Sequence, residues 1–287
     1  MTQPAIIAEN LTYTYGEHLA VDQIDFCVEH AEIMGFLGPN GAGKSTVVKM
    51  LSGQIKPKAG KAIVLGLDVA RHPKQVQAQS GICFEITNLY EEMSGVGNLN
   101  LFARLFGVRD FNAEVLLERV GLGGRGRDLV SSYSKGMKQR LMVGRALLNQ
   151  PSILFLDEPT DGLDPVSAEA IRQIILEERA RGATIFLTTH DMLEADKLSD
   201  RVAFIDQGKI AAIDTPHALK QQFGKRSLKA QIARPDGRLE LREITLDNDQ
   251  TASAVTELFR QEQVVTLHSE EATLEDIFIQ ITGRGLA

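Results

Sequence analysis

Gly38-Pro39-Asn40-Gly41-Ala42-Gly43-Lys44-Ser45-Thr46 decides how the rest of the chain is read. An apolar run, Glu32-Ile33-Met34-Gly35-Phe36-Leu37, precedes it and reads as a strand; Ser45 to Leu51 follows and reads as a helix. Glycines in such a turn let backbone N–H groups wrap inward at dihedrals other residues resist. The helix behind them adds its positive N-terminal end. Lys44 supplies a point charge for β- and γ-phosphates, and the Ser45 hydroxyl is a hard ligand for Mg²⁺. A chance glycine-rich turn is the competing reading, and the flanking strand and helix argue against it. The residues expected around the phosphates are Gly38, Asn40, Gly41, Gly43, Lys44, Ser45 and Thr46.

This turn alone says only that a nucleoside triphosphate is bound. The other half of the chemistry comes from Ile153-Leu154-Phe155-Leu156-Asp157-Glu158. An apolar strand ending in two acids sets carboxylates at the carboxyl edge of a parallel sheet, where such folds take ligands. Asp157 suits Mg²⁺, directly or through water, and Glu158 is then placed to polarise an attacking water. An ordinary acidic loop after a buried strand is the alternative for this segment.

The wider pattern agrees with an α/β core. Continuous apolar runs at Ser152–Leu156, Ala183–Leu187 and Val202–Ile205 read as strands buried on both faces, and helical patterns separate them. The expected fold class is a P-loop α/β core with a mostly parallel sheet, a helical insertion at about 88–150 and a small C-terminal α+β appendage. The boundary is expected near 223/224. Within the insertion, Gly121-Leu122-Gly123-Gly124-Arg125-Gly126-Arg127 reads as an exposed loop. In the appendage, 239–246 and 264–267 read as strands, and 252–261 and 274–281 as helices.

Composition narrows the function. Of 287 residues, 43% are hydrophobic and 24% charged, as in ordinary globular proteins, and a net charge of −7 argues against broad nucleic-acid binding. No apolar stretch of about 18 residues occurs, and the first residues lack the pattern of a secretory signal. Cys27 and Cys83 make neither a disulfide framework nor a metal cluster, so reduced thiols in a cytoplasmic protein are expected.

Further motifs give the chain its resemblance to the ATP-binding cassette family. Tyr133-Ser134-Lys135-Gly136-Met137-Lys138-Gln139-Arg140 is similar to the family signature, with Tyr133 and Lys135 in place of the usual leucine and first glycine. Ser134 and Gly136, the positions that hold a phosphate at a helix N-terminus, are present; Ser134 would equally serve as a helix cap. Asp161-Gly162-Leu163-Asp164-Pro165 resembles the family loop that communicates across the dimer. Asp164 before Pro165 also reads as an N-cap with proline at the first helical position, and both readings can hold. Thr188-Thr189-His190 matches the switch histidine, which contacts the γ-phosphate. Tyr15 fits the adenine-stacking aromatic, with Tyr13 as a neighbouring competitor. Asp191 and Glu194 read as a plain capping pair without chemistry.

One departure stands out. The family carries glutamine where the helical insertion begins, near Mg²⁺ and the attacking water, and alignment of the following segment puts Glu85 there. A carboxylate about 5 Å from a phosphate charge costs roughly 3 kcal/mol per unit-charge pair at an effective dielectric near 20. The same arithmetic favours it if it faces the metal. Glu85 is therefore expected beside Ser45 and Asp157 as a Mg²⁺ ligand.

The resemblance implies an ATPase that powers export. One P-loop and one signature make half of each of two ATP sites, so a homodimer is expected, docked through 88–107 on a transmembrane permease subunit. The chain would lie at the inner face of the cell membrane, without nucleic acid. Ser227 to Ala287, with Thr273-Leu274-Glu275-Asp276-Ile277-Phe278, resembles the tail of drug- and multi-substrate-exporter subunits. Rival readings are a non-transport cassette ATPase acting on ribosomes or DNA, an ATP-binding switch with little turnover, and a metabolic kinase, for which no acceptor pocket is legible.

Overall fold

The chain begins as an antiparallel hairpin of β1 (Ile6–Tyr15) and β2 (His18–Val28). The computed structural model describes residues 3–224, 227–234, 238–246, 251–270 and 272–285. β3 (Ile33–Leu37) runs into the glycine turn and α1 (Lys44–Leu51). β4 (Ala59–Val64) and β5 (Leu67–Asp68) return to β1, completing a four-stranded sheet of order β2-β1-β4-β5. This sheet was not legible as such in the sequence. Ile6, Ala8 and Leu11 are buried, yet the strand's alternation breaks at Asn10, which has φ +48°, and the pairing slips between Ala8 and Leu11.

α2 (Pro73–Ala78) and β6 (Ser80–Cys83) lead into the helical insertion, made of α3 (Gly95–Leu105), α4 (Ala113–Arg119) and α5 (Lys135–Ala146). The glycine–arginine connection between α4 and α5 is mostly exposed, but Leu122 turns inward at 1% exposure. The core resumes with β7 (Ile153–Asp157), α6 (Pro165–Ala180), β8 (Thr184–Thr189), α7 (Met192–Leu198), β9 (Arg201–Asp206) and β10 (Lys209–Asp214). The second sheet has the order β10-β9-β3-β8-β7-β6, and β9-β3-β8-β7-β6 are all parallel.

Why its strands read as unbroken apolar runs is visible in the parity of their side chains. Met34, Phe36, Ile153, Phe155 and Phe186 face one core, shared with the antiparallel sheet and with Val47, Val48 and Leu51 of α1. Ile33, Leu154, Leu156, Ile185 and Leu187 face a second core, closed by Leu99, Leu117, Leu141 and Ile171 of the helices. With both faces covered, the strand interiors are apolar, and the polar residues the strands hold, such as Thr184 and Thr188, are buried and hydrogen-bonded.

The compact units divide at Ile213 and Asp214. In the second unit, α8 (Pro216–Phe223) precedes β11 (Ser227–Ala233), β12 (Leu239–Thr245), α9 (Thr251–Gln261), β13 (Gln263–Glu270) and α10 (Leu274–Thr282). Its antiparallel sheet has the order β12-β11-β13, and Ala230, Ile232 and Leu258 form its small core. Thr273 caps α10 in a reciprocal box with Asp276, and Leu274, Ile277 and Phe278 are buried.

Candidate functional site

Sheet order decides where the chemistry gathers. β3, β8 and β7 are neighbours, with Leu37 beside Thr189 and Asp157 beside Thr188. The three segments that follow them, the glycine turn, the Glu158 loop and His190, therefore leave the same carboxyl edge of the sheet.

Against that edge lies a cleft of about 370 Å³. It is lined by Pro39, Asn40, Gly41, Gly43, Lys44, Ser45 and Thr46 of the glycine turn and helix, by Tyr15, His18 and Ala20 of the hairpin, and by Glu85 and Glu158. Gly43 has φ +111°, and a Cβ there would stand 2.5 Å from the Ala20 carbonyl oxygen. The turn thus needs glycine for conformation and for space.

Lys44 and Glu158 are both buried, and they meet. The Lys44 ammonium donates to the carbonyls of Gly38 at 2.6 Å and Pro39 at 3.2 Å, and lies 3.5 Å from Glu158 Oε1. That oxygen has no hydrogen-bond partner among the described residues, so the ion contact alone offsets its burial. Glu158 Oε2 sits 3.0 Å from His190 Nδ1 and accepts the His190 backbone N–H at 3.3 Å. Glu158 itself has φ +50°, rare for a residue with a side chain, and its N–H is anchored on the Thr188 carbonyl at 3.0 Å. Asp157 is 4% exposed, accepts from the Thr188 hydroxyl and does not line the cleft.

Tyr15 and Tyr13 meet edge to face at 4.8 Å, but only Tyr15 lines the cleft. Tyr13 packs on the core beneath and takes Lys58 over its ring at 5.8 Å. Tyr15→Ala is expected to raise the KM for ATP about three- to tenfold, in line with one aromatic contact. Tyr13→Ala is expected to lower the unfolding midpoint instead. Equal KM values in the two variants would remove Tyr15 from the site.

Ser134, Gly136 and Asp164 do not line this cleft. Ser134 caps α5, accepting from the Met137 N–H at 3.2 Å, and Lys135 beside it pairs with Asp161 at 2.8 Å. Asp164 caps α6 through the N–H groups of Val166 and Ser167. The Ser167 hydroxyl and backbone hydrogen bonds hold the Asp164 carboxyl below its ordinary range.

Three residues at or near the site were not foreseen. His18 reaches the cleft because the hairpin register sets it opposite Tyr15, a relation no motif encodes. Gln139 stands inside the signature run, and its amide reaches the Glu158 carbonyl at 3.4 Å and Cys83 Sγ at 3.7 Å. Burial pushes that thiol up to about 12, which keeps it neutral. Glu194 corrects the capping-pair reading. Asp191 does cap α7, accepting from the Leu193 and Glu194 N–H groups, but the Glu194 carboxylate is buried and bonds Thr160.

A family model described as ABC transporter matches residues 21–161. The chain is 42% identical over 283 residues to a fluoroquinolones export ATP-binding protein of Mycobacterium tuberculosis, covering 98% of this chain and 94% of that one. It is 36% identical over 306 residues to a daunorubicin resistance ATP-binding protein of Streptomyces coeruleorubidus, covering 97% and 95%. Among solved structures, the ATP binding subunit of an ABC transporter superposes with a TM-score of 0.70 at 31% identity, covering 76% of this chain and 93% of that one.

Proposed function

This chain belongs to the ABC transporter family, and from that premise we infer that it is the ATP-hydrolysing subunit of a membrane exporter. The observation that carries the reading is the chain of contacts through Glu158: Lys44 and Glu158 both line the cleft, 3.5 Å apart, and His190, which does not line it, stands 3.0 Å from the other oxygen of Glu158.

In this reading the glycine turn takes the phosphates on its N–H groups, with Gly38, Asn40, Gly41, Gly43 and Thr46 shaping the cradle, and Tyr15 takes the adenine ring. Lys44 turns its ammonium from Glu158 to the β- and γ-phosphates, which leaves Glu158 Oε1 uncompensated and able to accept a proton from water. The contact between Glu158 Oε2 and His190 Nδ1 orients the ring and leaves Nε2 to face a γ-phosphate oxygen.

Mg²⁺ would neutralise charge on the phosphates. Among the described residues no group of three or more His, Cys, Asp or Glu side chains could hold a metal unaided. Mg²⁺ does not require one, because it binds through one or two protein oxygens plus water and phosphate. Ser45 and Glu85 on the cleft and buried Asp157 beside it fit that donor set. Glu85→Gln is expected to weaken Mg²⁺ affinity severalfold in a metal titration at fixed ATP. A many-fold rise in turnover with Mg²⁺ affinity unchanged would mean that Glu85 opposes the phosphates and does not ligate the metal.

Ser134, Gly136 and Asp164 lie apart from the chain's own cleft, which favours their use on ATP held by a second copy, in a two-fold dimer. Partner docking is proposed at the insertion, where a mostly apolar cleft of about 240 Å³ is lined by Phe84, Asn88, Phe102, Phe106 and Arg145. Arg145 is built into it: it donates to the Asn88 carbonyl at 2.8 Å and lies 4.6 Å from the Phe102 ring centre. No helix among the described residues is long and apolar enough to cross a membrane, and the proposed partner is a separate permease at whose cytoplasmic face the chain works. Residues 1–223 are proposed as the ATPase domain and 224–287 as the exporter-type accessory domain, a division ten residues beyond the boundary of the compact units at Ile213 and Asp214.

The test is ATPase rate against protein concentration. A rate that climbs faster than linearly supports composite sites; a linear one means each chain holds a complete site. No turnover at any concentration, alone or with a permease, would leave the switch reading in its place.

A further inference from the structure

Glu194 lies in the first turn of α7, four residues past His190, and is 3% exposed. Both its carboxylate oxygens stand 2.6 Å from the Thr160 hydroxyl, and Oε2 lies 3.4 Å from the Thr189 hydroxyl. The Thr189 hydroxyl in turn accepts the Asp191 N–H at 3.0 Å. Thr160 belongs to the loop between Glu158 and Asp164, and Thr189 immediately precedes His190. One carboxylate therefore spans the two segments that bring Glu158 against His190.

That contact needs holding. Glu158 occupies a left-handed backbone conformation, of a kind that persists only where the surroundings over-determine it. On its upstream side the hold is the Glu158 N–H on the Thr188 carbonyl and the Thr188 hydroxyl on Asp157. On its downstream side the hold is Thr160 on Glu194. An apolar side chain would fill the same place without the cost of burying a charge, so filling space does not explain a carboxylate there. Short bonds from hydroxyl to carboxylate are strong and directional, which is what fixing a turn requires. Burial also raises the carboxyl above its ordinary range, while the Thr160 hydroxyl draws it back.

We propose that Glu194 is a positioning residue for ATP hydrolysis: through Thr160 and Thr189 it ties the loop after Glu158 to the turn bearing His190, and so sets the contact between them. The proposal rests on the ATPase reading for its consequence in turnover and on geometry alone for its consequence at His190.

The experiment compares the full chain with Glu194→Ala, Glu194→Gln and Thr160→Val, reading kcat, the KM for MgATP, the unfolding midpoint and the chemical shifts of the His190 ring protons. Glu194→Ala is expected to lower kcat about tenfold or more, as misplacement of a reacting group does, with KM within about twofold because the glycine turn is untouched. Glu194→Gln keeps an oxygen for Thr160 and is expected to stay within about threefold of the wild type. Thr160→Val should reproduce most of the alanine variant's effect, and combining the two should add little, since each severs the same bridge between the two segments. The His190 signals should move in the alanine and valine variants and stay in place in the glutamine variant. Native kcat in Glu194→Ala, unmoved His190 signals, or equal losses in Ala and Gln that track the unfolding midpoint would each overturn the proposal. If Glu194→Ala does not fold, Glu194→Gln against Thr160→Val decides it. If the wild type hydrolyses no ATP at all, the functional reading fails, and the His190 signals still decide the role of Glu194.

Discussion

A Glu158→Gln chain is expected to bind ATP at least as tightly as the native one and to hydrolyse it about 10²–10⁴-fold more slowly, the range a positioned general base supplies. That loss corresponds to about 2.7–5.5 kcal/mol of barrier. The substitution keeps the shape of the side chain, and the amide oxygen can still accept from His190, so the local geometry is retained. It removes the basicity that an attacking water needs. It also removes the negative charge 3.5 Å from the Lys44 ammonium, and frees that lysine for the phosphates. Binding and turnover should therefore move in opposite directions, with ATP-bound dimers accumulating in sedimentation as kcat falls. Turnover within a few-fold of the wild type would mean that Glu158 is not the base.

Phe186→Ala is expected to cost about 3–5 kcal/mol of unfolding free energy, the usual penalty for emptying a fully buried aromatic site. The ring is 0% exposed and central to an aromatic group, with Phe36 at 5.3 Å, Phe26 at 5.9 Å and Phe155 at 6.2 Å between ring centres. Those four rings come from β2, β3, β7 and β8, so neighbours on two sheets would have to move together to refill the space. Urea unfolding of the purified chain measures the loss. Two strands that carry the site, β7 and β8, are loosened by the same change, so kcat should fall along with stability. A cost below about 1 kcal/mol would mean that the cavity collapses, and that this interface is more plastic than its packing indicates.

How far the site could be read in advance differs residue by residue, and the reason is physical. Lys44, Ser45, Asp157 and Glu158 stand out in the sequence because the chemistry proposed for them needs a local arrangement: a glycine turn between strand and helix, and acids at a strand's end. The two-sided apolar strands were legible because burial on both faces leaves a mark in every residue. The antiparallel sheet was harder. Its alternation is interrupted where Asn10 and Gln23 take positive φ, so a period-two pattern never runs long enough to stand out. Tyr15 and Tyr13 could not be separated, since two residues of one strand share the same face and only packing shows which one ends on the core. Glu194 was misread because its spacing from Asp191 fits a capping pair, and the competing partner, Thr160, lies 34 residues away.

By itself the sequence determined that the chain builds a phosphate-binding α/β core with paired acids, because glycine conformations, strand burial and charge placement are local demands that residue types must meet. Tertiary structure alone decided which groups touch. The order β3-β8-β7 brings Lys44 to Glu158 and Glu158 to His190, the hairpin register brings His18 to the cleft, and the fold of α7 turns Glu194 from a cap into a tie. Those contacts join residues far apart along the chain, and their distances follow from how whole strands and helices pack, which no short stretch of sequence contains.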